Sequence, residues 1–147
     1  MSQKILLQVT TDLNDLTQVL NWFEQLDHSS VLNIDWLHCK TALAELFTNA
    51  VRHAHRDLPL ETPISLEASL TEDTIEIKIF DHGLGFDISE KLAKADADTS
   101  TDTDEIDFLA LGGRGLDLIN QMVDDFTYEK TEDGRNCAQI KKNYSTT

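Results

Sequence analysis

An α/β two-layer sandwich, with helices on one face of a mixed, mostly antiparallel sheet, is the fold class that this 147-residue sequence predicts. Three observations predict it. Two pairs of alternating segments read as hairpins, 64–80 and 123–142. Two stretches with helical spacing, 13–26 and 36–55, lie between an apolar first strand and the first hairpin. A 40% hydrophobic content supplies enough apolar surface for one core, so residues 1–147 are expected to form a single domain.

The elements follow in order. Lys4 to Thr10 alternates and runs apolar through Ile5, Leu6, Leu7 and Val9 and reads as the first strand. Thr11 or Asp12 is placed to cap a helix whose apolar residues Leu16, Val19, Leu20, Phe23 and Leu26 recur at helical spacing, and His28-Ser29-Ser30 ends it. Asn33 and Asp35 are the next cap candidates, before a helical pattern from Trp36 to about His55. Ile64–Leu70 and Thr74–Phe80 then read as strands joined at Thr71-Glu72-Asp73. Residues 87–107 are too polar to bury much surface, which suggests a lid over about 87–112. Leu116, Leu118, Ile119 and Met122 resume helical spacing, and a last hairpin, Val123–Lys130 with Asn136–Lys142, turns at Glu132-Asp133-Gly134.

A formal charge of −15 argues against direct nucleic-acid binding, which depends on Lys and Arg displacing counterions. A basic protein partner suits that charge better. No apolar run is long enough to span a bilayer and the N-terminus lacks a signal-peptide pattern, so a cytoplasmic protein is expected. Cys39 and Cys137 have no metal or redox spacing and read as buried thiols. Neither an HExxH pattern nor a carboxylate triad organises His53, His55 and His82 into a metal site.

Three motifs carry chemistry. Glu45-Leu46-Phe47-Thr48-Asn49-Ala50-Val51-Arg52-His53 sets an acid, an amide and an imidazole four residues apart, on one face at 3.6 residues per turn. Asp81-His82-Gly83-Leu84-Gly85 ends a strand in glycines that permit close backbone approach. Gly113-Arg114-Gly115-Leu116 opens a helix with free N–H groups, a geometry suited to anions.

In that order the motifs resemble the ATP-binding domain shared by DNA gyrase, Hsp90, histidine kinases and MutL, the GHKL superfamily. The likeness runs over nearly the whole chain and is nearest to the anti-sigma-factor serine/threonine kinases. The resemblance implies a Bergerat-type fold, ATP and Mg²⁺ as cofactors, and a nucleotide between helices and lid. It implies Asn49 as the magnesium ligand and Glu45 as the general base. Asp81 would recognise adenine, and Gly83 and Gly85 would lie against the nucleotide. Gly113, Arg114, Gly115 and Leu116 would hold the phosphates, and His53 would contact the nucleotide.

The resemblance further implies an anti-sigma factor that phosphorylates a serine or threonine of a STAS-type antagonist and so regulates transcription by partner switching. Its partners would be a sigma factor, that antagonist and a second copy of the chain, paired through the sheet or first strand. One departure stands out: after Gly134 the family usually carries threonine, whereas this chain has Arg135 and Asn136. That change motivates a second expectation, an ATP-gated protein-binding module without efficient phosphoryl transfer.

Overall fold

A computed structural model describes residues 2–55, 57–83 and 119–144, apart from the His53 side chain. Strand β1 is Gln3–Val9, β2 Ile64–Leu70, β3 Thr74–Asp81, β4 Asp125–Lys130 and β5 Asn136–Asn143. They form a sheet in the order β1-β2-β3-β5-β4, and every pair among the described residues is antiparallel. The sheet-facing alternation of β2 and β3 follows directly from sequence: Ile64, Leu66, Ala68, Leu70, Ile75, Ile77 and Ile79 are buried, and the residues between them are only half-buried.

Helices α1, Leu16–Phe23, and α2, Asn33–Asn49, supply the second layer. Val19, Trp22 and Phe23 turn inward from α1, and the Trp22 indole donates to the Leu6 carbonyl of β1 at 3.0 Å. Phe23 stacks on Trp36 of α2 with ring centroids 4.3 Å apart, fixing one helix against the other. Apolar α2 residues Leu43, Leu46 and Phe47 are buried in the same core as Ile77 of β3 and Ile140 of β5. Ile119 and Met122, in a helical stretch described at 119–122, are buried in the same core, as their spacing predicts.

Boundaries differ from expectation where local hydrogen bonding decides them. Asp12 does cap, accepting from Asn14 N–H at 2.9 Å, but it caps a 3₁₀ turn at Leu13–Asp15 that leads into α1. Helix α1 stops at Phe23, well before His28. Helix α2 starts at Asn33 with Leu32 at its N-cap and no side-chain cap, so Asn33 and Asp35 fall inside the first turn. At the other end the α-helical phase stops at Asn49 and a π-helical turn, Ala50–Ala54, follows. His55 N–H bonds the Ala50 carbonyl at 2.9 Å, five residues back. The 3.6-residue spacing that would align His53 with Glu45 and Asn49 therefore ends just beyond Asn49.

The expected lid and the residues Gly85, Gly113, Arg114, Gly115 and Leu116 lie outside the described residues. No helix among the described residues is long and apolar enough to cross a membrane.

Candidate functional site

The site is assembled where the end of α2 meets the end of β3. Ala42, Leu46 and Asn49 form a buried stripe on α2, so the Asn49 side chain is carried inward with apolar neighbours and keeps only 7% of its surface exposed. Neither its amide nitrogen nor its amide oxygen has a hydrogen-bond partner among the described residues. A buried amide left unpaired costs about 1–3 kcal/mol. An unpaired buried amide of this kind calls for an explanation, and an ion or water is one that its chemistry allows. Glu45, one turn earlier, is half-buried.

Asp81 ends β3 on the same inner face as Ile77 and Ile79 and is 3% exposed. Its Oδ1 accepts from Gly83 N–H at 2.9 Å, which folds the chain back after the strand, and from the Asn136 amide at 2.9 Å. Its Oδ2 accepts from the Tyr128 hydroxyl at 3.3 Å. Burial first, and then the Asp81 carboxylate, push the Tyr128 phenol well above its ordinary value, so it remains a donor. With two donors concentrated on Oδ1, the other oxygen keeps acceptor capacity.

Gly83 follows because no larger residue fits. A Cβ built there would stand 2.3 Å from the Ala54 carbonyl oxygen, so the turn after β3 packs backbone to backbone against the π-helical turn after α2. The adjacent His82 N–H donates to His55 Nε2 at 2.8 Å. His55 itself is buried, with Nδ1 2.8 Å from the Thr11 hydroxyl oxygen. Burial holds this imidazole below its ordinary value; Asp81 works against that shift and His82 adds to it. Both ring nitrogens are engaged in hydrogen bonds, and among the described residues no His, Cys, Asp and Glu cluster could hold a metal.

The departure at the last hairpin now has a geometry. Asn136 is 2% exposed and faces inward from β5, directly opposite Asp81 of β3. Its amide nitrogen donates both to Asp81 Oδ1 and to the Gly83 carbonyl, the second at 2.8 Å. Arg135 points to the other side, its guanidinium 4.5 Å from the centre of the Phe80 ring and bonded to Asp133 at 2.8 Å. Gly134, with φ of 87°, takes the left-handed position that the turn demands.

Of the residues singled out in the sequence, Glu45 and Asn49 lie in the last turns of α2, Asp81 and Gly83 at the end of β3, and the backbone of His53 in the π-helical turn that Gly83 packs against. Thr11, His55 and Tyr128 join them without having been expected there. No linear signal pairs Thr11 with a histidine 44 residues away. Cys39 is buried as expected, its thiol pushed up to about 12 by burial, whereas Cys137 is half-buried on the outer face of β5.

Comparison with known proteins agrees with the fold. The family described as "Histidine kinase-like ATPase domain" matches residues 9–142. Serine-protein kinase RsbW of Staphylococcus epidermidis is 37% identical over 102 residues, covering 69% of this chain and 62% of that protein. Serine-protein kinase RsbW of Staphylococcus aureus strain MRSA252 is 39% identical over 92 residues, covering 62% of this chain and 56% of the relative. The chain therefore spans less than two thirds of the length of these relatives. With nine-tenths of its length matched, the chain belongs to the histidine kinase-like ATPase domain family.

Proposed function

We propose that the chain binds Mg-ATP and acts as a serine/threonine protein kinase of the anti-sigma type. The observation that carries this reading is Asn49, a buried amide with no partner among the described residues, one helical turn from a half-buried carboxylate. Mg²⁺ takes oxygen ligands and keeps much of its octahedron for water and phosphate, so one amide oxygen from Asn49 fits the need. Asp81 accepts the exocyclic amine of adenine, and Gly83 gives the turn its close approach. Gly85, Gly113, Arg114, Gly115 and Leu116 are assigned to the nucleotide by resemblance, as is His53.

Bound Mg-ATP would supply the phosphoryl group for transfer. Glu45 accepts the proton given up by the hydroxyl of the substrate, the role of a positioned carboxylate in phosphoryl transfer. The substrate is a serine or threonine of a small STAS-type antagonist. The new phosphate adds negative charge to an interface and separates antagonist from kinase, leaving the kinase to hold its sigma factor. In this reading the chain is one domain, works in the cytoplasm and pairs with a second copy of itself. The name of its relatives, serine-protein kinase, supports the reaction type.

The test is incubation of the chain with labelled ATP, Mg²⁺ and a candidate STAS-type antagonist. Transfer by wild type and its loss in Glu45→Ala are expected. No transfer by wild type, or equal transfer by Glu45→Ala, overturns the kinase reading. A second reading is favoured by Arg135 and Asn136 following Gly134, where the family usually carries threonine: an ATP-gated binding module. It requires ATP-dependent partner binding that survives Glu45→Ala and is lost in Asp81→Ala.

A further inference from the structure

The turn after β3 is held by a relay of hydrogen bonds that all run one way. A backbone N–H can only donate, so the bond from His82 N–H at 2.8 Å requires His55 Nε2 to carry no proton. The neutral ring then has its proton on Nδ1, which donates to Thr11 Oγ1 at 2.8 Å. The Thr11 hydroxyl in turn donates to the Thr62 carbonyl at 2.7 Å, while its backbone N–H bonds Leu60 at 2.9 Å. Each donor meets an acceptor, and one tautomer satisfies the whole chain. The relay joins the end of β1, the 60–62 connection and the end of the motif helix to the turn that begins with Asp81.

We infer that neutral His55 is a positioning residue for the nucleotide: it fixes the backbone of the Asp81–Gly83 turn, and hence the aim of the Asp81 carboxylate, through its bond from His82 N–H. This deepens the proposed ATP site and rests on that reading for its nucleotide readout. Protonation would turn Nε2 from acceptor to donor, face it against the His82 N–H and release the turn. Among the described residues, the charged or titratable groups facing the ring are Asp81 of β3, which favours the proton, and His82, whose ring centroid is 6.3 Å away and which opposes it. Thr11 and Thr62, from the other two segments, contribute no charge.

Two variants separate the acceptor from the packing. His55→Gln can place an amide oxygen near the position of Nε2 and does not titrate. His55→Phe fills the space and offers no acceptor. The full chain is examined in two ways: hydrogen exchange of the His82 amide without nucleotide, and ADP affinity by calorimetry from about pH 8 down to about pH 4.5, a range that extends well below the ordinary imidazole value because burial lowers that of His55.

The expected results are a slow His82 amide in wild type and His55→Gln, and a fast one in His55→Phe. Wild-type ADP affinity falls about tenfold on acidification, the loss of roughly one hydrogen bond. His55→Gln keeps the wild-type affinity of neutral pH with a flatter profile. Equal His82 exchange in wild type and His55→Phe overturns the inference, as does a pH profile of His55→Gln that superimposes on wild type. If His55→Phe does not fold, the wild-type and His55→Gln comparison decides. If wild type binds no ADP at any pH, the proposed ATP site fails, and His82 exchange still decides whether His55 holds the turn.

Discussion

Asn136 and Asp81 stand directly opposite each other on β5 and β3, and the asparagine amide donates to the carboxylate across that pair at 2.9 Å. The residue that departs from the family pattern is thereby bonded to the acid proposed to read adenine. Its second bond, to the Gly83 carbonyl, ties the same turn from the strand side, as His55 ties it from the helix side.

Asn136→Ala should therefore strip donors from two buried acceptors at once. An unfolding free energy lower by about 1–3 kcal/mol is expected, with weaker ATP binding. Asn136→Thr restores one hydroxyl donor and should fall between wild type and the alanine variant. Urea denaturation and calorimetry check both; an Asn136→Ala protein as stable as wild type would contradict the bond's importance.

Gly83→Ala tests the contact between the turn and the π-helical segment. A methyl group 2.3 Å from the Ala54 oxygen must displace one backbone or the other. Overpacking of this kind costs about 1–3 kcal/mol, read as a lower denaturation midpoint. ATP affinity should fall as well, because the shift moves the residues that follow Asp81.

The pH dependence of stability has a defined sign. The folded-state value of His55 lies below its ordinary 6.5, so the unfolded chain takes up a proton before the folded chain does as pH falls. Its contribution is fully present above about 6.5 and is lost as pH drops from there toward the lower folded value. Urea midpoints measured across that window should decline more steeply for wild type than for His55→Gln.

Cysteine reactivity should split by burial. Cys39, fully buried with its thiol pushed up to about 12, should resist alkylation until the chain unfolds. Cys137 is half-buried and is also pushed up by burial, so it should label sooner than Cys39 yet more slowly than a free thiol. Mass spectrometry after timed alkylation distinguishes the two.

Much of this architecture could be read from the linear chain because it rests on local periodicity. Ile64–Leu70 is a strand over the very residues whose alternation predicts it, and β3 runs one residue beyond its expected end to carry Asp81. Glu45, Asn49, Asp81 and Gly83 were legible because their chemistry is unusual for their positions: polar groups in an apolar helix and glycine just past a strand. The π-helical turn was not, since Ala50–Ala54 keeps a helical composition and only the bond from His55 N–H to the Ala50 carbonyl shifts its phase. The His55 relay was also hidden, because its bonds link residues 44, 51 and 27 positions apart. Asn136 drew notice as a departure, but its partner became evident only once β3 and β5 were paired.

The central claim is that Asp81 and Asn49 form a Mg-ATP site, and calorimetric titration of the full chain with ATP, with and without Mg²⁺, tests it most directly. Wild type should bind ATP, and Asp81→Ala, shown to be folded by circular dichroism, should bind at least about 100-fold more weakly, since a site built to accept an amine strongly penalises its loss. Asn49→Ala should lose the Mg²⁺ enhancement of ATP affinity while retaining binding of the adenine end. A folded wild-type chain that binds no ATP, or an Asp81→Ala variant that binds it equally well, would contradict the account.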